Sequence, residues 1–330
     1  MKHWRPREIE ILAGLRARFL ARTAGHSDYW RSEEELALYD DTFAARIAWK
    51  IDAVIRDLQR LGWAPKSRRL IDWGCGTGIA TRRILAAWPT ISQVSLHDRS
   101  ALAVRFARER IAGENRGVTF DPRLEADLET LLVLSHVISE FDPQTRAEVI
   151  ALAQAAGEVI WVEAGTHADS RKLAEVRAEL LSAAESLHII APCTHSAACP
   201  LFQAANEKHW CHHFAEAPSD VSRDARWDEW SRELGIDRRS LPYSHLVLST
   251  HAAPETAGYS RIIGVPREGK GHRKILSCDR AGLHDLMLQK RDAPELYRAL
   301  GKSSEQPPFH WKIQGGKITG LATQPPDSCA

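Results

Sequence analysis

Leu70-Ile71-Asp72-Trp73-Gly74-Cys75-Gly76-Thr77-Gly78 decides the fold. A short apolar run leads directly into three glycines at alternate positions, and a helical pattern from Ile79 to Ala87 follows. Glycines at a strand-to-helix joint permit positive φ and let a ligand approach the backbone closely. A dinucleotide fingerprint would place its third glycine at position 79, where Ile79 stands. An acid completes the pattern. Asp98 follows the run Gln93–His97, about 20 residues past the loop, where ribose hydroxyls would be held. Ser100 then supplies an N-cap for the next helix.

Outward from the loop, short apolar runs alternate with helical stretches. Strands are expected at Leu70–Trp73, Gln93–His97, Val118–Phe120, Leu131–Ser135 and Glu158–Glu163. Helices are expected at Ile79–Ala87, Ala101–Ala112, Gln144–Ala155 and Asp169–Leu187. This alternation implies βαβ units and a mostly parallel, doubly wound α/β sheet. Upstream, Ile9, Leu12, Leu15 and Phe19, then Ile47, Ile51, Val54, Ile55 and Leu58, recur at helical spacing, and the pattern stops near Gly62. Beyond Pro192 the texture shifts to Cys, His and Trp. Candidate strands follow at His245–Ser249, Tyr259–Gly264, Arg273–Ser277 and Phe309–Ile313, with a helix over Trp227–Leu234. The expected organisation is a helical N-terminal region over 1–64, an α/β domain over 65–190 and a smaller β-containing domain over 191–330. Thr323–Ala330 reads as a frayed tail.

A length of 330 residues suits about two domains of roughly 150 each. The 44% hydrophobic and 26% charged fractions are those of an ordinary globular chain, and a net charge of +1 gives no global pull toward a polyanion. The charge-free runs Leu131–Ser139 and Ile189–Asn206 are short or broken by Pro, His and amide side chains. They are unlike the roughly 18 apolar residues of a membrane span, so no membrane partner is expected. Met1–Tyr29 lacks an apolar core and contains Glu8 and Glu10, unlike a secretory signal or an acid-poor transit peptide. A cytoplasmic location is expected ahead of a mitochondrial matrix one.

The spacing Gly-x-Gly-x-Gly with Asp72 ahead of it resembles the S-adenosylmethionine loop of class I methyltransferases. The expected cofactor residues are Asp72, Gly74, Cys75, Gly76, Gly78 and Asp98, with Ser135 at the end of the fourth strand. Cys75 reads as a small packed residue rather than a nucleophile. Amino-group methyltransferases commonly carry an Asn/Asp-Pro-Pro-aromatic motif after that strand. Here the stretch is Leu134-Ser135-His136-Val137-Ile138-Ser139-Glu140, with no cysteine for cytosine-5 chemistry. His136 and Glu140 are the candidates for a catalytic base. A histidine at a strand end is as often a structural donor, so methyl transfer is not assumed.

Three of the six cysteines, Cys193, Cys199 and Cys211, fall within nineteen residues, and Cys278 follows after a long gap. In a reducing compartment such a group suggests metal binding or catalysis before disulfides. Four thiolates can hold zinc or an iron-sulfur cluster. Structural zinc usually takes two close Cys pairs, and neither short interval occurs here; wide intervals suit a bulkier guest. His195, His209, His212 and His213 crowd the segment and keep a mixed Cys/His zinc site open.

At these residues a family is recognisable. Cys193-Thr194-His195-Ser196-Ala197-Ala198-Cys199-Pro200-Leu201, Trp210-Cys211-His212-His213-Phe214 and Cys278 together resemble the signature of the methyltransferase-like proteins of the mitochondrial small ribosomal subunit and their bacterial relatives. Asp98-Arg99-Ser100, the stretch Ser135–Glu140, and Val162-Glu163-Ala164-Gly165-Thr166 followed by Arg171 fit the same pattern. Ala164 stands where relatives often carry proline. The similarity runs over residues 70–291. It implies a class I methyltransferase fold with S-adenosylmethionine as ligand and a [4Fe-4S] cluster on Cys193, Cys199, Cys211 and Cys278. It also implies an assembly factor that binds small-subunit ribosomal RNA and the assembling particle, as a methyltransferase or as an RNA chaperone.

The residues themselves add a local charge argument. Arg261, Arg267, Lys270, Arg273, Lys274, Arg280, Lys290 and Arg291 stand against Glu268, Asp279 and Asp285, a local net charge of +5 suited to phosphates. The patch flanks Cys278, so a cluster there would tie the Cys193–Cys211 loop to the basic strands. The second reading is a methyltransferase of a small molecule or protein, stiffened by zinc.

Overall fold

The run Arg69–Trp73 forms strand β1 and Ile79–Ala87 forms helix α4, as the glycine loop between them requires. The computed structural model describes residues 3–21, 30–183 and 186–322; the tail at 323–330, with Cys329, lies outside the described residues. Three helices precede the loop: Pro6–Leu20 (α1), Glu33–Tyr39 (α2) and Ala45–Arg60 (α3), with a π-helical turn at Asp40–Ala44 joining α2 to α3. After α4 come Gln93–His97 (β2), Ala101–Glu114 (α5), Thr119–Phe120 (β3), Thr130–Ser135 (β4), Pro143–Ala155 (α6), Glu158–Ala164 (β5), His167–Ala183 (α7) and His188–Ala191 (β6). His213–Phe214 (β7), Ala225–Leu234 (α8) and Pro242–Ser249 (β8) follow. The chain ends with Arg261–Ile262 (β9), Arg267–Gly269 (β10), His272–Asp279 (β11), Gly282–Gln289 (β12), Pro294–Ala299 (α9), Trp311–Gln314 (β13) and Lys317–Leu321 (β14).

The first sheet has the order β3-β2-β1-β4-β5-β8-β6, with β7 paired to β8. β1 runs parallel to β2 and β4, and β4 parallel to β5. The loops after these strands therefore open on one edge, where ligands bind in folds of this kind. β8 lies antiparallel between β5 and β6. The strand expected near 245–249 thus completes the first sheet rather than belonging to the C-terminal part, and the chain returns to the α/β domain well past residue 190. An apolar run marks a strand without saying which sheet it joins. The architecture is a Rossmann-like α/β domain with a helical N-terminal region and a smaller β-containing C-terminal part.

Helix packing follows the apolar spacing. Ile51, Val54, Ile55 and Leu58 of α3 and Ile84 and Leu85 of α4 cover one sheet face, meeting Val94, Val133, Ile160, Val162 and Val247. Val149 and Ile150 of α6 and Val176 and Leu180 of α7 cover the other, against Leu132, Leu134, Val159, Trp161 and Leu246. The N-terminal region is not freestanding: Leu12, Leu15 and Leu36 share a core with Ala103 of α5 and with Trp230 and Leu234 of α8. The second sheet, β10-β11-β12-β14-β13 with β9 on β11, encloses Ile262, Ile275, Leu286, Leu288, Trp311 and Ile318. Its strands β10, β12 and β14 were not expected from the sequence, because charged and glycine residues interrupt their alternation. Among the described residues no helix is long and apolar enough to cross a membrane.

A buried fork joins the two parts. Arg261 of β9 donates from Nη1 to Oδ1 of Asp57 at 3.0 Å and from Nη2 to Oδ2 at 2.7 Å, while its Nε donates to the carbonyl of Pro192 at 2.9 Å. Both side chains are under a tenth exposed. Removing one partner of such a pair strands a buried charge and costs about 3–5 kcal/mol, whereas removing both at once costs far less. The expected outcome, read by urea unfolding, is that Arg261→Met destabilises by about that amount and that adding Asp57→Leu recovers a large part of the loss.

Candidate functional site

The glycine loop is shaped by its backbone. Gly74, Gly76 and Gly78 have φ of +78°, +51° and +72°. A Cβ on Gly74 would lie 2.5 Å from Cγ1 of Val137, so that glycine is required twice over. Gly74 N and Cys75 N donate to the carbonyl of His97 at 2.7 and 2.9 Å, locking the loop to the end of β2. Asp98 is wired into the same turn, its Oδ2 accepting from Gly76 N and its Oδ1 from Ser100 N, both at 2.9 Å. Burial raises the Asp98 carboxyl, and those two donors oppose the rise. Asp72 sits beneath, 1% exposed, with Oδ2 accepting from Thr81 Oγ1 at 2.6 Å. Burial pushes it up to about 7. Cys75 is buried and its thiol is raised by that burial, in keeping with packing rather than attack.

Around this turn several buried polar atoms have no hydrogen-bond partner among the described residues: Asp72 Oδ1, Ser135 Oγ and His136 Nε2. Buried polar atoms are ordinarily paired, and these three lie at the ends of β1 and β4 beside the glycine turn. His136 has φ of +60°, a left-handed conformation that is uncommon for a residue with a side chain and frequent at functional sites. Burial, and then the charge of Lys50, holds its imidazole well below the ordinary range. Glu140 is raised by burial, and Arg99 at 3.8 Å opposes that. Glu163, at the end of β5, anchors the strand-end turn: its Oε1 accepts from Val137 N, Ile138 N and Trp161 Nε1 at 3.1, 3.0 and 2.7 Å. Burial pushes Glu163 up to about 8.

The four cysteines of the expected ligand set act on one another. Burial pushes the Cys211 thiol well up, and Cys193, Cys278 and Cys199 push in the same direction. Cys278 is raised by burial and then by Cys193 and Cys199; Cys199 is raised by burial, with Cys193 adding to it. The four therefore lie near enough to influence one another electrostatically. Among the described residues, no group of three or more His, Cys, Asp or Glu side chains is placed to hold a metal ion.

Backbone carbonyls fix the loop that carries these thiols. Arg177 Nη2 donates to the carbonyls of His195 and Ala197 at 2.9 Å, and Arg171 donates to those of Leu201 and His209 at 3.1 and 3.0 Å. The Cys211 carbonyl accepts from the hydroxyls of Ser170 and Ser244. Thr194 Oγ1 donates to Tyr259 O at 2.7 Å, and Gly264 N to His212 O at 2.8 Å. Arg177 and Asp57 escaped the sequence reading. Their only signal is a charged residue set among the apolar positions of a helix.

The eight basic residues separate into two groups. Arg261 is buried in the fork, and Arg273 is buried with Nε on Glu268 at 2.8 Å and its guanidinium on the Tyr297 carbonyl. These two are interior groups and are not available to phosphates; in strands β9 and β11 they point into the core. Arg267, Lys270, Lys274, Arg280, Lys290 and Arg291 are exposed, with Arg267 paired to Asp285 at 2.6 Å. Lys290 N donates to Gly271 O, which brings Lys270, Lys290 and Arg291 to one end of the sheet. Arg280 lies in the turn at the other end of β11.

Two outcomes are expected here. Gly74→Ala destabilises by about 1–3 kcal/mol, from the strained φ and the contact with Val137, read by thermal melting. Asp72 and Glu163 bind their protons more tightly when folded, so stability falls as pH rises through their raised values. Below about 6.5 the buried His136, His213 and His245, all held low by burial, pull the other way. Lys50, lowered to about 7 by burial, also opposes the two carboxyls as pH rises. The Asp72 contribution is isolated by comparison: the melting temperature of the ligand-free wild type, measured relative to Asp72→Asn, is expected to fall as pH rises from 5 through 7.

Comparison with known proteins places this geometry in context. Trans-aconitate 2-methyltransferase of Rhodopseudomonas palustris (strain BisA53) is 28% identical over 221 residues, which cover 62% of this chain and 84% of that protein. The plantazolicin methyltransferase BamL, solved in complex with a triazolic desmethylPZN analog and SAH, superposes with a TM-score of 0.42 at 11% identity, covering 74% of this chain and all of that one. BpumL, solved in complex with SAH, gives 0.38 at 10% identity, over 72% of this chain and 98% of that one. The family profile described as mitochondrial small ribosomal subunit Rsm22 matches residues 40–305, about four-fifths of the chain, and spans the glycine loop, all four interacting cysteines and the fork. The chain belongs to the Rsm22 family.

Proposed function

We propose that this chain is an assembly factor of the small ribosomal subunit that binds S-adenosylmethionine at the glycine loop, ribosomal RNA through its C-terminal sheet, and a [4Fe-4S] cluster through Cys193, Cys199, Cys211 and Cys278. The presence of all four cysteines inside the matched family region carries this reading, and the electrostatic influence they have on one another supports it. A methyltransferase sheet has no need of such a set, and the family description supplies the ribosomal context.

Four thiols are a donor set that suits an iron-sulfur cluster, in which each of four irons takes one thiolate. When bound, it supplies the positive charge that lets four mutually repelling sulfurs ionise together. The chain supplies the rest: Arg171 and Arg177 hold the loop carbonyls, and Arg261 holds Pro192 beside Cys193 while lying opposite Cys278 across the β9–β11 pair.

Adenosylmethionine suits the first site on independent grounds. Each oxygen of Asp98 keeps a lone pair beyond its backbone donor, available to ribose hydroxyls, and Asp72 Oδ1 and Ser135 Oγ await polar partners. Buried Asp72 gains from a nearby cationic amino group. His136 and Glu140 are the candidates for a base toward a methyl acceptor. For RNA, the reading relies on the exposed Arg267, Lys270, Lys274, Arg280, Lys290 and Arg291 and leaves out the two buried arginines. A second reading, a methyltransferase of a small organic acid, is favoured by the likeness to trans-aconitate 2-methyltransferase. It predicts turnover with such acids and no bound RNA.

Protein purified without oxygen is expected to contain iron and sulfide in equal amounts and to carry small-subunit ribosomal RNA, identified by sequencing. Zinc without sulfide, together with no enrichment of that RNA, would overturn the reading. Replacing Lys270, Lys290 and Arg291 with glutamate is expected to weaken RNA binding at least tenfold and to flatten its salt dependence, without changing adenosylmethionine affinity.

A further inference from the structure

The cysteine region contains one contact that the proposed function does not use. Nε2 of His213 lies 3.8 Å from Sγ of Cys211, within hydrogen-bond distance for sulfur. The position of the ring is set from behind. Its backbone is paired to Tyr243 on β8, and its ring packs against His245 and Tyr243 with centroids 5.1 and 5.8 Å apart. His245 is 4% exposed and lies in β8 of the first sheet. The neighbouring histidine is engaged elsewhere: His212 places Nδ1 3.0 Å from the Trp210 carbonyl and stacks on the Trp210 ring at 4.6 Å. Of the two adjacent histidines, His213 is the one turned toward a sulfur.

We infer that His213 is a positioning residue for the inorganic group, donating an N–H···S hydrogen bond from Nε2 to the thiolate of Cys211. This rests on the iron-sulfur reading above. A donor on a ligating sulfur stabilises the charge that reduction adds, so it raises the reduction potential of the cluster. It also holds the sulfur in its ligating orientation, as outer-shell partners of metal ligands do. A neutral imidazole has one N–H, so the bond requires the tautomer protonated at Nε2.

The test uses the full chain purified without oxygen, as wild type, His213→Gln and His213→Leu. Iron content, midpoint potential and the rate of bleaching in air are measured on each. The glutamine, which keeps an N–H donor, is expected to retain wild-type iron, potential and bleaching rate. The leucine is expected to retain iron, shift to a more negative potential and bleach several-fold faster. A leucine variant with wild-type potential and bleaching overturns the inference while leaving the cluster intact. Loss of iron from both folded variants also overturns it, because the ring would then be a ligand. A wild-type protein without iron and sulfide overturns the cluster reading and this inference together. Should the leucine variant fail to fold, electron-nuclear spectroscopy of the reduced wild type labelled with nitrogen-15 histidine decides. A weak nitrogen coupling that disappears in His213→Gln is expected; no coupling, or one strong enough for direct ligation, contradicts the inference.

Discussion

A single guanidinium holds the two halves of this protein in register. Arg261 places three of its hydrogen bonds on Asp57 of α3 and on the carbonyl of Pro192, with almost no exposure to water. Because Cys193 follows Pro192 and Cys278 lies opposite Arg261 across the strand pair, the same group sets where two of the four thiols stand. A buried ion pair of this kind adds little net stability compared with apolar packing, but it is intolerant of losing one partner. It specifies geometry more than it adds strength, and the geometry it specifies is where Pro192 and the strand carrying Cys278 meet α3.

The glycine loop shows a different kind of constraint. There the backbone leaves no choice at Gly74, since a side chain would meet Val137, and Asp98 is spent partly on holding the turn itself. The unpaired atoms of Asp72, Ser135 and His136 mark the opposite condition, polar groups held in place without partners. One edge of the sheet thus carries a rigid frame and open valences together, the arrangement a binding site requires. The cysteine loop leans on this edge: Trp210 Nε1 donates to Gly165 O just past β5, at 2.9 Å.

Much of this was legible in the sequence. Strand β2 and helix α4 were bounded to the residue, and β1, β4 and β5 to within one, because a strand buried on both faces and a glycine turn are local signals. Spacing also singled out Asp98, which the structure places in the glycine turn with hydrogen bonds from Gly76 N and Ser100 N. What escaped was long-range. The strand Pro242–Ser249 looked like part of a separate domain, yet it slots between β5 and β6, and nothing local encodes that partner. Arg261 and Arg273 counted as surface charge because composition cannot distinguish a solvated arginine from one whose acceptors lie elsewhere in the chain, in Asp57, some two hundred residues away, or in the Tyr297 carbonyl. Short strands rich in charge, such as Arg267–Gly269, carry too few apolar positions for alternation to show.

In the proposed site, four sulfurs from distant parts of the chain surround one iron-sulfur core. Diffraction at the iron absorption edge, from crystals of protein purified without oxygen, decides whether they do. One compact anomalous peak enclosed by the sulfurs of Cys193, Cys199, Cys211 and Cys278 is expected. An absent peak, or a peak bound by some of these residues while the Cys278 sulfur lies well apart, would refute the site.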